Sequence, residues 1–482
     1  MKRIFLPVLL LSLAATSSWA NSGAMSYFVD DGVQSLARGG LERLPRQQEA
    51  LDFTAPLFLD SKGTYRVEAG YESQPTARIY RGGWHGSSAG FERLDTTLAA
   101  PLSFLGGRVK GSLAAGYGFD SFRIKADNET ETTLVHVDER SQARKGGVYL
   151  AAFDRVSLGV SLIATDYRKS PEVPLELEIS PVSWFKVGYK HSYSDLAANV
   201  DLTLLGHQGN LPLGLPETLD ELYGVLDYGG FRLKYAQELG KADNRRLEAR
   251  LQLPGNLYLV GDYRRRDFAA IDQDFTVDAQ PGGTLKAALR RSEYRAGLGA
   301  QITSHWSLEV NYRHSDIGVD GGGIASSRAV AGFWPSLLVG NYNYLASASL
   351  AADQYHLGGE YQGERFSFGV GVQYIDLKPA ARIEYWRGVL FGLGRAGADT
   401  KQLTVDRIGM LFLATGLGYK WQNFELRYAV GQFIPVFTHD TSPSAPASSS
   451  GSGSGDAFSR IADKVTHYPG GGVQRLLLSM FF

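Results

Sequence analysis

Residues 306–313 read Trp306-Ser307-Leu308-Glu309-Val310-Asn311-Tyr312-Arg313, with every second side chain apolar. Successive side chains of a strand point to opposite faces, so this run makes a ribbon with one oily face and one wet face. The same alternation recurs along the chain. Tyr65, Val67, Ala69 and Tyr71 interleave with Arg66, Glu68, Gly70 and Glu72. Phe231, Leu233 and Tyr235 interleave with Arg232, Lys234 and Ala236, and Leu247, Ala249, Leu251 and Leu253 with Arg246, Glu248, Arg250 and Gln252. Phe366, Phe368, Val370 and Val372 interleave with Ser367, Gly369, Gly371 and Gln373. Helical spacing of apolar residues is scarce. Each run has roughly the ten residues that a tilted membrane-crossing strand needs.

The punctuation between runs sets the topology. Tight connections fall at Leu102–Gly107, Phe153–Arg155, Ser180–Ser183, Gly229-Gly230, Pro254-Gly255-Asn256, Ser304-His305, Gly363-Glu364 and Gln422-Asn423. Long polar stretches lie near 74–88, 124–143, 196–219, 269–287, 319–345, 379–402 and 438–469, with shorter connections near 169–172 and 240–243. Short turns alternating with long loops predict an all-β, 18-stranded antiparallel transmembrane β-barrel over residues 64–482, with 16 strands the nearest alternative. Residues 198–205 also alternate, but a further strand there breaks the up-down parity, so they are assigned to a loop. Phe104, Phe153, Trp184, Phe185, Phe231, Trp306, Phe366, Trp421 and Phe424 cluster beside the short turns, as an interfacial aromatic girdle would.

Composition narrows the class. The chain has 482 residues, 57 of them Gly, and no Cys, which excludes disulfides, thiolate metal sites and Cys nucleophiles. Lys plus Arg number 49 against 50 Asp plus Glu, without the basic excess of a nucleic-acid binder. Lys2 and Arg3, the apolar stretch Ile4–Ala15 and Ser18-Trp19-Ala20 read as a signal peptide over 1–20. Residues 21–63 form an N-terminal segment. Val33, Leu36, Leu41 and Leu44 fit a short helix there, weakened by Gly39-Gly40. The spacing leaves open whether this segment plugs the lumen or lies in the periplasm.

The chain ends Leu476, Leu478, Met480, Phe482 in alternation. This resembles the last strand of Gram-negative outer-membrane β-barrel proteins. The resemblance implies an outer-membrane, porin-like barrel in contact with lipid and lipopolysaccharide, with Phe482 read by the barrel-assembly machinery. Strand count and length are also similar to the exopolysaccharide and alginate-export barrels, which implies periplasmic polysaccharide-export proteins as partners.

Sixteen to eighteen strands enclose water rather than a packed core, so function is expected in the lumen. Parity turns Arg232, Lys234, Arg246, Arg250, Arg264, Arg266, Arg295 and Arg313 inward, with fewer acids facing them: Glu238, Glu248, Asp262, Glu293 and Glu309. Counting from the short turns, Arg246, Arg264, Arg295 and Arg313 sit at comparable heights. Such an arc favours anions; the alternative is a solvated face of cross-strand ion pairs. Arg265 faces outward, toward lipid headgroups. The 319–345 loop carries Phe333 and Trp334, candidates for a constriction. Tyr385, Trp386 and Arg387 could face a sugar ring, and Ser448–Gly455 is a Ser/Gly tip.

No cofactor motif is present, and an enzyme is not expected. His314-Ser315-Asp316 has triad composition, but neighbours on a strand face opposite ways. The expected function is a passive channel for small polar or anionic solutes or an exported polysaccharide. The competing reading is a plugged structural or surface-binding barrel; a partner of a periplasmic electron carrier is a further alternative.

Overall fold

The computed structural model describes residues 30, 33–41, 49–81, 84–127, 133–166, 170–204, 207–241, 243–268, 270–277, 280–325, 339–389, 394–404, 408–436 and 472–482. Its strands are β1 (Arg66–Arg81), β2 (Trp84–Phe104), β3 (Val109–Asp127), β4 (Thr133–Ala152), β5 (Val156–Thr165), β6 (Leu175–Val182), β7 (Phe185–Leu204), β8 (His207–Tyr228), β9 (Phe231–Glu238) and β10 (Arg245–Gln252). They continue as β11 (Leu257–Asp267), β12 (Ile271–Val277), β13 (Gln280–Gln301), β14 (Trp306–Ala325), β15 (Val339–Gln362), β16 (Phe366–Val389), β17 (Gly394–Thr404), β18 (Ile408–Trp421), β19 (Phe424–Val436) and β20 (Gly472–Phe481).

These segments form one antiparallel cylinder. Each strand except β11 and β17 pairs with the next, and β1 closes the ring on β20, with Arg66 opposite Phe481. Two wall positions are interrupted: β11 and β12 both pair along β13, and β18 and β17 both pair along β16. The wall therefore has eighteen positions, as the parity argument predicts. Closure removes the edges that lipid could not satisfy. The tight ends follow local chemistry: Gly229 and Gly230 both take positive φ, 60° and 84°, the left-handed geometry of a two-residue hairpin turn.

Several strands run further than periodicity alone suggested. Against the loop expected at 198–205, residues 198–204 are the end of β7, paired with the start of β8. Parity survives because the hairpin is lengthened and no strand is added. Much of 74–88, 124–143 and 319–345 is likewise hairpin extension. Two hairpins stay short, β5–β6 and β9–β10. Their longer neighbours pair above them, Val135 with Leu202 and Asn210 with Thr276.

The outer face is apolar. Leu98, Leu113, Leu222, Leu298, Val310, Leu357, Val370 and Leu417 are exposed on it, a belt stable only against lipid. Phe104, Phe153, Trp184, Trp306, Phe366, Trp421 and Phe482 stand exposed at the short-turn end. The sequence reading saw only this girdle. A second one, of tyrosines, lies further along the strands: Tyr117, Tyr235 and Tyr263, then a packed row of Tyr294, Tyr312, Tyr355 and Tyr374. Just there the outward positions turn polar. His191 bonds Asp220 and His314 bonds Asp353, each at 2.7 Å, which marks the far edge of the belt. Ser315 is buried on the opposite face from His314. The protein is a membrane-spanning barrel of the outer-membrane type.

Candidate functional site: a lumen divided by its plug

The described residues of the N-terminal segment, 30, 33–41 and 49–63, pack against the inner face of the barrel. Val33–Ala37 forms one helical turn, and Gly39 and Gly40, at φ 95° and 92°, end it by donating to the carbonyls of Leu36 and Ser35. Leu36 is fully buried and packs in one apolar cluster with Phe412 and Phe433, whose rings lie 4.4 Å apart. A second stretch, Pro56–Leu59, rests on β3–β6. Leu59 packs there with Phe53, Ala99, Ala114 and Ile163.

The wall is shaped to receive these pieces. The Ser112 hydroxyl donates to the Leu59 carbonyl and the Ser161 hydroxyl to that of Phe53. A Cβ on Gly159 would strike the backbone of Pro56, and one on Gly371 the carbonyl of Arg38. At such close approach only glycine fits. The Leu51 amide donates to Glu68 at 2.8 Å, and Arg66 donates to the Glu49 carbonyl at 2.9 Å. The Glu49 carboxylate accepts the Gln34 amide at 3.2 Å, and burial pushes the Glu49 carboxyl above its ordinary pKa.

Charges pin the helical turn to the other wall. Arg38 lies 3.4 Å from Glu309 and 3.8 Å from Glu360. His356 Nε2 donates to the Arg38 carbonyl at 2.5 Å, and Asn311 donates to its Nδ1 at 3.2 Å. Glu309 is a hub, also bonded to Arg295 at 2.6 Å and to the Tyr258 hydroxyl at 2.9 Å. Arg313 donates to the Asp30 carboxylate and Arg475 to the Asp30 carbonyl, each at 2.7 Å. Buried pairs need such extra hydrogen bonds to offset the cost of desolvation.

This corrects the proposed Arg arc. Register places Arg246 opposite Arg264 and Arg295 opposite Arg313, but Arg264 faces Glu293 and Arg295 faces Asp262. The four stand in two rows one layer apart, not at one height. Their surroundings differ more than their heights. The Arg295 and Arg313 side chains are 3% and 2% exposed, held beneath the plug. Arg246 and Arg264 are 30% and 37% exposed. Arg313 is thus a plug anchor, and Arg295 is sealed in the wall network of Glu309 and Asn311 that Arg38 of the plug approaches.

The remaining candidates face the lumen with their own partners. Arg232 pairs with Asp227 at 3.2 Å near the short turns. Lys234 lies over the Tyr223 ring at 4.5 Å, Arg250 over Tyr258 at 4.3 Å and Arg266 over Phe268 at 5.0 Å. Arg246 pairs with Glu248, and Arg264 with Asp262 at 2.7 Å. Glu293 holds Arg291 at 2.8 Å. Phe333 and Trp334 fall outside the described residues. Phe482 exchanges two backbone hydrogen bonds with Tyr65 and so helps close the ring. Arg265 reaches Asp243 at 3.9 Å on the outer side.

Sequence reasoning missed the socket. Its signal was present in the alternation itself: Gly369 and Gly371 occupy wet-face positions where a simple pore would carry polar side chains. The apolar inward residues Ile375 and Phe412 were invisible for the opposite reason, because parity assigns oily residues to lipid.

No family model and no curated protein matches the chain. Among solved structures it is similar to the Ralstonia pickettii toluene transporter TbuX, with 12% identity over 94% of this chain and 98% of that one and a TM-score of 0.43. It is also similar to a Pseudomonas aeruginosa FadL homologue, with 11% identity over 93% and 98% and a TM-score of 0.40. A third is Pseudomonas aeruginosa OccK7, with 12% identity over 87% and 98% and a TM-score of 0.38.

Proposed function

We propose that the protein is a passive outer-membrane channel for small anionic solutes, with the solute path running beside a resident plug. The observation that carries this reading is the split in the lumen: Arg246 and Arg264 keep a third of their surface in water, while Arg295 and Arg313 are sealed. The path follows the wall of β9–β11, where Arg246 faces Arg264 directly. Like charges set opposite each other across strands cost stability. In an aqueous lumen they also concentrate counter-ions. The plug narrows the bore, which supports small solutes over a hydrated polysaccharide.

The test is single-channel recording in planar bilayers with a salt gradient. The expected result is a discrete conductance step with an anion-selective reversal potential. A barrel that is folded, shown by heat-modifiable electrophoretic mobility, yet gives no conductance would overturn the reading in favour of a plugged, non-conducting barrel.

A further inference from the structure

The outer wall carries an arginine pair of its own, at a defined height. Leu247 lies opposite Tyr235 on one side and Tyr263 on the other, and Tyr263 lies opposite Tyr294, so the tyrosine girdle crosses β9–β13 as one row. One layer further from the short turns, two residues along each strand or roughly 7 Å, the same face reads Gln237, Arg245, Arg265 and Ser292. Arg245 and Arg265 are direct cross-strand partners. Arg245 is exposed, with its guanidinium over the Tyr263 ring at 5.7 Å. The Arg265 side chain is 38% exposed and reaches Asp243 at 3.9 Å. The other charges nearby stand to the side or further out: Asp316 opposite Ser292, Asp267, and Arg290 held by Asp320.

At two other places on the girdle the outward charges neutralise one another. His191 bonds Asp220, and Asp353 takes both His314 and Lys378. Between these two places, the layer that holds Arg245 and Arg265 has no carboxylate on β9–β13. Like charges directly opposite across strands cost stability, and an anion seated between them offsets that cost. Position names the anion. On the short-turn side of the pair, Leu247, Leu259, Tyr294 and Leu298 are exposed to lipid. Acyl chains packed on them place their headgroup at the layer of the pair, on the long-hairpin side of the barrel. Opposed residues have Cβ atoms roughly 5 Å apart, so two guanidinium forks can grip one phosphate, each through parallel hydrogen bonds.

We propose that Arg245 and Arg265, with Tyr263 beside them, form a docking site on the outer wall for the phosphomonoester of an outer-leaflet glycolipid, whose acyl chains lie along Leu247, Leu259 and Leu298. A phosphomonoester carries close to two negative charges and three free acceptor oxygens. That matches two cations better than the single charge of a phosphodiester. The site faces lipid and not the lumen, so it stands whether or not the barrel conducts.

Native mass spectrometry of the delipidated, folded full-length barrel, titrated with lipid A bearing both phosphates, tests it. One lipid A per barrel should bind saturably ahead of any others. Removing both phosphates from the lipid should weaken that binding at least about tenfold, the worth of one charge-assisted hydrogen bond. Arg245→Gln combined with Arg265→Gln should cause the same loss, with folding checked by heat-modifiable mobility, and Arg265→Gln alone serves if the double variant does not fold. Arg144→Gln removes an outward arginine that stands between Tyr117 and Ala164 with no arginine opposite, and should leave the first lipid in place. Equal binding of dephosphorylated lipid A or of phosphatidylglycerol overturns the proposal. So does unchanged affinity in the arginine-pair variant, or a loss in Arg144→Gln as large as in that variant.

Discussion

The two arginine pairs on neighbouring strands have the same residue type, the same inward parity and opposite fates. Arg246 and Arg264 face each other on a wetted wall. Arg295 and Arg313, one layer away, are buried: Arg295 holds Glu309 and Asn311 of the wall, and Arg313 holds Asp30 of the plug. In the first pair the charge, though paired with Glu248 and Asp262, keeps an exposed face toward the lumen. In the second it is consumed in holding the protein's own chain. Identity of side chain therefore says little about role in a barrel this wide, and what lies across the lumen says nearly everything.

Evicting the plug should abolish that contrast, and this is the largest effect expected. A side chain at Gly371 or Gly159 collides with plug backbone, so Gly371→Val combined with Gly159→Val should raise single-channel conductance severalfold and open residues 30–63 to trypsin. Unchanged conductance with a protected plug would mean that the socket yields. Arg38→Met is milder: it leaves Glu309 and Glu360 short of a buried partner and should cost plug docking about 3 kcal/mol, read as faster hydrogen exchange in residues 33–41.

Charge reversal sharpens the contrast directly. Arg246→Glu with Arg264→Glu should move the anion-to-cation permeability ratio by at least about tenfold toward cations. Arg313→Gln, beneath the plug, should loosen the plug while leaving that ratio nearly where it was. If both variants shift selectivity equally, the sealed and wetted sectors are one.

The smallest effect is acid dependence of the plug. The Glu49 carboxyl is raised above its ordinary value of 4.5, mainly by burial. The seated plug therefore binds the proton more tightly than the released one. Its contribution to docking is complete at pH below 4.5 and fades as pH rises through the seated value. Plug protection, corrected for intrinsic exchange, should fall as pH rises across that window in wild type. Glu49→Gln should flatten the response, and a wild-type plug whose protection grows with pH would contradict it.

Much of this molecule was legible before its coordinates. Period-two alternation gave the strands, and the turn spacing gave eighteen wall positions. The one conflict with parity, at 198–205, vanishes once the loop is seen as a lengthened hairpin. The second girdle escaped notice because tyrosines in mid-strand look like ordinary strand formers until neighbouring strands bring Tyr294, Tyr312, Tyr355 and Tyr374 side by side.

The residue order alone thus determined that the chain makes a closed cylinder, oily outside and charged within, because side-chain alternation is local and each strand records its own two faces. Only the tertiary structure decided which inward charges meet water. That depends on Asp30 reaching Arg313 and Arg38 reaching Glu309 across hundreds of residues of chain, and no local pattern records what will stand opposite a side chain in the middle of a barrel.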